Sequence, residues 1–152
     1  MHSAARGFTR HRITVPNAGR SKWWTVYLVG GRVGGTVDAV KAGITTNAAM
    51  RLAELAEVGL TDVLALYEVQ GRREADVMEN AWKRVIASLP HLSFTKEEWT
   101  AAYGSWEGSR SGFTEAIKWA PEAATAIRAL HSAAAKYEHR YGFIDVHATA
   151  AA

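Results

Sequence analysis

The sequence predicts an α+β domain: a small three-stranded sheet, mixed or antiparallel, in the order β-β-α-β-α, flanked by helices and followed by a helical C-terminal extension. Three observations predict it. Runs of β-branched and aromatic residues at Trp23–Gly31, Thr36–Thr45 and Thr61–Gln70 read as strands. An apolar stripe at helical spacing, Met78, Ala81, Trp82, Val85, Ile86 and Leu89, follows the third run. Between the first two runs stands "GGRVGG", too short for a helix and rich in the residue that turns chains.

Taken in order, "WWTVYLVGG" is the first strand and "TVDAVKAGIT" the second, with "GGRVGG" as the hairpin turn between them. The glycines invite comparison with a phosphate-binding loop. A dinucleotide fold needs its glycines to open a helix, and Gly30, Gly31, Gly34 and Gly35 sit between strands and miss the GxGxxG spacing. In "TTNAAMRLAELAEVG", Asn47 is placed to cap a helix, Ala48, Leu52 and Leu55 share a face, and Gly59 ends it. "TDVLALYEVQ" is the third strand. "RREADVMENAWKRVIASLP" is the second helix, ended by Pro90. "TKEEWTAAY" is a short helix. "SRSGFTEAIKW" (Ser109–Trp119) stays open between loop, strand and short helix. "PEAATAIRALHSAAAKYEHRYGF" is a helix with Pro121 at its first position and Ala124, Ile127, Leu130 and Ala134 on its buried face.

A chain of 152 residues suits one compact domain, and 48% apolar residues can supply its core. The absence of cysteine excludes disulfides and thiolate metal sites. The histidines are scattered without HxxxH spacing, which argues against zinc. No apolar run approaches the roughly 18 residues of a membrane span, and no secretory-type apolar stretch follows Met1, so the expected setting is cytoplasmic with no membrane partner. The net charge of +3 permits nucleic acid without demanding it. Residues 1–22 carry Arg6, Arg10, Arg12, Arg20 and Lys22 and no acid, which predicts a flexible basic arm. It is either a solvated tail or an arm that touches DNA through Arg10, Arg12, Arg20 and Lys22. The expected organisation is this arm, a core over 23–99, an extension over 100–142 packed on the core, and a tail over 143–152.

Four polar positions interrupt the apolar pattern. Tyr27 lies in the first strand, Lys41 with Gly43 near the end of the second, Arg51 one turn into the first helix, and Glu79 beside the apolar stripe of the second helix. In this order the chain resembles the GIY-YIG nucleases, whose signature is a Gly-Ile-Tyr strand, a hairpin, a Tyr-Ile-Gly strand, an Arg about eight residues on, and a Glu on a later helix. "TVY" (Thr25–Tyr27) matches the first element and "KAG" (Lys41–Gly43) the second. Arg51 stands eight residues after Gly43, and Glu79 falls in "MENAWKRVI". The resemblance spans roughly Trp23 to Trp99, about half the chain. It rests on the ordered set, since no one motif is specific. Lys41 replaces the second tyrosine, Ala42 replaces the isoleucine, and the two motifs are further apart than is typical. "VKAG" is similar to the "VKIG" variant of phage-type members and of some restriction enzymes of the family.

The resemblance implies a metal-dependent DNA endonuclease, bacterial or phage-encoded. Tyr27 would help deprotonate the attacking water, and Arg51 would bind the scissile phosphate with its planar fork. Glu79 would hold one Mg²⁺ (or Mn²⁺). Lys41 would stand in for the missing tyrosine, either contacting phosphate or acting on Tyr27 through its charge. Gly43 would let the backbone approach the helix that carries Arg51. One site cuts one strand, so double-strand cleavage would call for a homodimer or two encounters.

Each residue also has a structural reading. Tyr27 is a half-buried strand tyrosine, Lys41 a solvated edge charge, Arg51 a surface arginine, and Glu79 the i,i+4 partner of Lys83. Glu74 rivals Glu79 for the metal, His91 follows the second helix towards the site, and "GFTE" (Gly112–Glu115) offers a second acidic residue. "KYEHRYGF" either grips nucleic acid by stacking or balances a helix dipole. The rival function is a catalytically inactive module of the same fold that binds DNA or a protein, with Lys41 as its main support. A carboxylate pointing into a cleft with Tyr27 and Arg51 would favour the enzyme, and a salt bridge closing that cleft would favour the module.

Overall fold

The fold is that of a computed structural model, which describes residues 23–35, 37–103 and 114–135. Strands β1 (Trp24–Val33) and β2 (Val37–Thr45) are followed by helix α1 (Ala48–Glu57), strand β3 (Asp62–Val69) and helix α2 (Arg72–Ile86). A 3₁₀ turn over Pro90–Leu92, helix α3 (Lys96–Tyr103), strand β4 (Ala116–Lys118) and helix α4 (Ala123–Ala134) complete it. The class is α+β as expected, but the sheet has four strands, in the order β3-β1-β2-β4, and every pair is antiparallel. The fourth strand comes from the segment that the sequence left open. Three residues of β-structure, Ala-Ile-Lys, are too few to set up a period of their own, and the edge of β2 recruits them.

β1 is hydrogen-bonded on both edges and covered on both faces, so nearly all of it is buried. Side chains alternate across it. Val26 and Leu28 join Val40, Ala42 and Tyr67 under α2 and α4, where Met78, Trp82, Ile127 and Leu130 fill the layer. Tyr27 and Val29 face the other way, into a second cluster with Ala39, Leu55 of α1, Leu66, Phe94 and Trp99 of α3. A bulge opposite Leu28–Val29 leaves Leu64 without a direct partner on β1. The two clusters make one three-layer arrangement in which β4 and α4 share the same core as residues 23–99.

Several local expectations shift. The hairpin turn occupies only the second glycine pair, where Gly34 and Gly35 take φ of 62° and 79°. Gly31 belongs to β1, and a Cβ on it would collide with the Gly59 carbonyl. Thr36 lies outside the described residues. α1 is capped as read, with Asn47 accepting from the Met50 amide at 3.2 Å and Gly59 past its end at φ 103°. α2 ends at Ile86, and Pro90 opens the 3₁₀ turn instead of closing the helix. Pro121 precedes α4 in a turn, because the first helical residue is Ala123. Ala124 is only half-buried and Ala123 and Ala126 take its place, since an alanine-rich segment does not specify which face meets α2. No helix among the described residues is long and apolar enough to cross a membrane. The basic arm with Arg10, Arg12, Arg20 and Lys22, the segment "KYEHRYGF" and the tail lie outside the described residues.

Candidate functional site

The β1–β2 register sets Tyr27 directly opposite Gly43. A Cβ at position 43 would stand 2.5 Å from the Tyr27 Cζ and nearer still to its hydroxyl. The missing side chain therefore makes room for the Tyr27 ring, which corrects the expectation that Gly43 serves the approach of α1. Lys41 lies two residues earlier on the same face. Its Nζ donates to Tyr27 Oη at 3.1 Å, to Glu115 Oε1 at 2.9 Å and to the Ala42 carbonyl at 3.4 Å. Three donors meet three acceptors, which is what lets an ammonium stay charged while only 4% exposed. Burial works against the charged form. The charges and hydrogen bonds of Tyr27 and Glu115 outweigh it and raise the Lys41 pKa. The solvated edge charge that one reading proposed for Lys41 is thus excluded, because β4 covers this part of the β2 edge.

Arg51 reaches the same phenolic oxygen from α1, with Nη1 at 3.5 Å. Its Nε pairs with Glu54 at 3.2 Å, and its side chain is two-fifths exposed. Two cationic donors thus converge on one oxygen, and only Arg51 also faces solvent. Tyr27 itself is 1% exposed rather than half-buried.

The acidic half comes from α2 and from the chain entering β4. Glu79 is buried on α2 and pairs with Lys83 at 3.5 Å, so the expected i,i+4 pair is present. Lys83 also approaches Glu115 at 3.7 Å. Burial, then the Glu115 charge, push the Glu79 pKa up, with a hydrogen bond to Glu115 adding to the rise; Lys83 and Lys41 pull it partly back. Tyr27, Lys41, Gly43, Arg51, Glu79, Lys83 and Glu115 are therefore brought into one cluster. Glu115 and Lys83 are the members that sequence reasoning weighted least. Nothing in local spacing places residue 115 beside residue 41; only the pairing of Lys41 with Ala116 does.

Other candidates fall elsewhere. The Glu74 carboxylate folds over Gly71 at the start of α2. His91 pairs with Glu122 at 3.2 Å on the surface. A metal fits the cluster on limited terms. Among the described residues no three His, Asp or Glu gather to hold an ion. Mg²⁺ takes one or two carboxylates and fills its shell with water and phosphate oxygens. Glu79 and Glu115 supply that number, and burial together with the Glu115 charge raises the Glu79 pKa. Of the ammonium groups that balance them, Lys83 is the partly exposed one and Lys41 the buried one.

Of the two discriminating features, the Lys41–Glu115 ion pair is present, and the carboxylate that Arg51 meets is that of Glu54 on its own helix. Compared with protein-family models, with curated proteins and with solved structures, the chain finds no match.

Proposed function

We propose that the protein is a metal-dependent DNA endonuclease with a GIY-YIG-type site. The observation that carries this reading is the convergence of Lys41 and Arg51 on the Tyr27 hydroxyl, with Gly43 opposite to make room for the ring. These positions were singled out from the sequence as an ordered set, and they lie on three different elements that meet at one oxygen. Phosphodiester hydrolysis needs a base for the attacking water and positive charge for the phosphoryl oxygens. Tyr27 would be the base, with Lys41 and Arg51 both donating to its oxygen. Arg51 is the group open to solvent, and the remaining N–H groups of its fork meet no acceptor among the described residues, so it is the one to receive a phosphate. On binding, it would exchange Glu54 for phosphate oxygens and keep its contact with the Tyr27 hydroxyl. Glu79, with Glu115 beside it, would hold Mg²⁺ or Mn²⁺, which would supply further positive charge. The partner is DNA, and double-strand cutting would need a second copy or a second encounter.

The test is cleavage of supercoiled plasmid and of single-stranded DNA with Mg²⁺ or Mn²⁺. Wild type is expected to cut. Arg51→Ala and Glu79→Ala are expected to lose on the order of a hundredfold or more in rate, as when a group that stabilises transition-state charge is removed. Equal cutting by wild type and both variants would end this reading.

One set of observations favours the inactive module. Tyr27 and Lys41 are almost fully buried, and all three Lys41 donors are satisfied within the protein. A protein that shifts DNA in a gel, cuts nothing with either metal and binds equally well in a chelator fits that alternative.

A further inference from the structure

Glu115 stands apart from the other members of the cluster in how it is held. Its carbonyl oxygen accepts from the Trp82 indole Nε1 at 2.8 Å and from the Ala42 amide at 3.3 Å. One bond comes from α2, on one side of the sheet, and the other from β2 itself. Trp82 is completely buried, so the donor is fixed by core packing. Immediately after Glu115, Ala116 pairs with Lys41 and Ile117 with Val40. The residue is pinned from both sides, while its side chain is directed at Lys41 and lies near Lys83 and Glu79. The backbone from which this carboxylate extends is therefore fixed.

The consequence for Lys41 is geometric. A lysine side chain has four rotatable bonds and a compact charge that imposes no direction of its own. Tyr27 Oη alone would leave the ammonium free to turn away. Glu115 Oε1 at 2.9 Å, with the Ala42 carbonyl, leaves one direction for the remaining N–H, which is towards Tyr27. A site of this kind works only when the groups around the reacting atoms are themselves held by a supporting shell.

We propose that Glu115 is a positioning residue that acts through Lys41, so that the residue entering β4 completes a site otherwise drawn from residues 27–83. The inference rests on reading the cluster as a phosphodiesterase site. It predicts that Glu115 governs rate through the Lys41–Tyr27 pair and leaves DNA binding to other groups.

The test uses the full chain as wild type, Glu115→Gln, Lys41→Met and the double variant. Single-turnover cleavage, gel-shift affinity, and NMR signals of the Lys41 ammonium and the Tyr27 Cζ carbon are followed together. Glu115→Gln is expected to slow cleavage about tenfold or more, as small misplacements in a site do. Its affinity for DNA is expected to be unchanged, and both NMR signals to move. The double variant is expected to cut no more slowly than Lys41→Met, because the two residues act as one unit. A Glu115→Gln rate and spectrum identical to wild type would overturn the proposal, as would independent, multiplying effects in the double variant. If wild type cuts nothing, the endonuclease reading fails and the NMR arm alone judges the positioning: displaced Lys41 and Tyr27 signals in Glu115→Gln uphold it, unmoved ones overturn it. Should Glu115→Gln fail to fold, Trp82→Phe replaces it. That variant keeps an aromatic ring, removes the donor that pins Glu115, and is expected to move the same two signals.

Discussion

Both sides of the sheet bury apolar residues, but one of them buries a charge as well. Under α2 and α4, Met78, Trp82, Ile127 and Leu130 are sealed from solvent, and the burial itself is favourable, at roughly 25 cal/mol per Å² of apolar surface. Across the sheet, Lys41 and Tyr27 are sealed just as tightly, but burying an ammonium costs free energy that only its partners offset. Met78 needs neighbours of the right volume. Lys41 needs three acceptors in the right directions. A site such as Met78 therefore tolerates a change of shape better than a loss of volume, and a buried ammonium tolerates neither. Lys41 and Tyr27 thus form a polar patch at the join between β2, β4 and α2, beside apolar residues such as Val29, Leu55, Leu66 and Trp99 that are buried on the same side.

That contrast can be sharpened by substitution. The largest stability effect is expected from Trp82→Ala, which empties the apolar layer and also frees the Glu115 carbonyl from its indole donor. Urea denaturation should show a loss of about 3–5 kcal/mol.

Lys41→Met comes next, with an expected loss of about 2–3 kcal/mol, since Lys83 remains to share the Glu115 charge. Because folding raises the Lys41 pKa, the contribution of its charge is complete below the usual value of 10.5. It disappears as pH rises through the higher folded value. Wild type should therefore lose stability in alkali by a component that Lys41→Met lacks. A Lys41→Met loss equal to that of Trp82→Ala would break the comparison, because the polar cluster would then be a structural support and the binding-module reading would gain.

The smallest effect is expected from Gly43→Ala. Its added methyl meets the Tyr27 ring and should cost about 1–3 kcal/mol as the ring moves aside. Cleavage should fall far more than stability does, and a variant that cuts like wild type would separate Tyr27 from the chemistry.

How much of this was legible beforehand differs between the two sides as well. The stripe on α2 announced itself because Met78, Trp82 and Ile86 recur at helical spacing, and their burial follows from that spacing. Tyr27, Lys41, Gly43 and Arg51 were legible as an ordered set because neighbouring elements of a hairpin and its following helix hold them. Glu115 was visible only as an acid next to an aromatic. Its importance depends on a strand of three residues that has no pattern of its own, and on Trp82, whose indole N–H reaches 33 positions along the chain. The role of Gly43 was misjudged for a related reason. A glycine in a strand signals close approach, but which atoms approach is a matter of register.

The sequence by itself determined the α+β class, the hairpin and its following helix, the cap at Asn47, and the residue types of the central cluster, because these depend on local periodicity, turn chemistry and short-range order. Only the tertiary structure decided that the sheet has a fourth strand, that Lys41 is buried and fully bonded, and that Glu115 faces Lys41. Each of these depends on pairings between residues more than seventy positions apart, whose geometry is set by packing across the sheet and leaves no local signature in the chain.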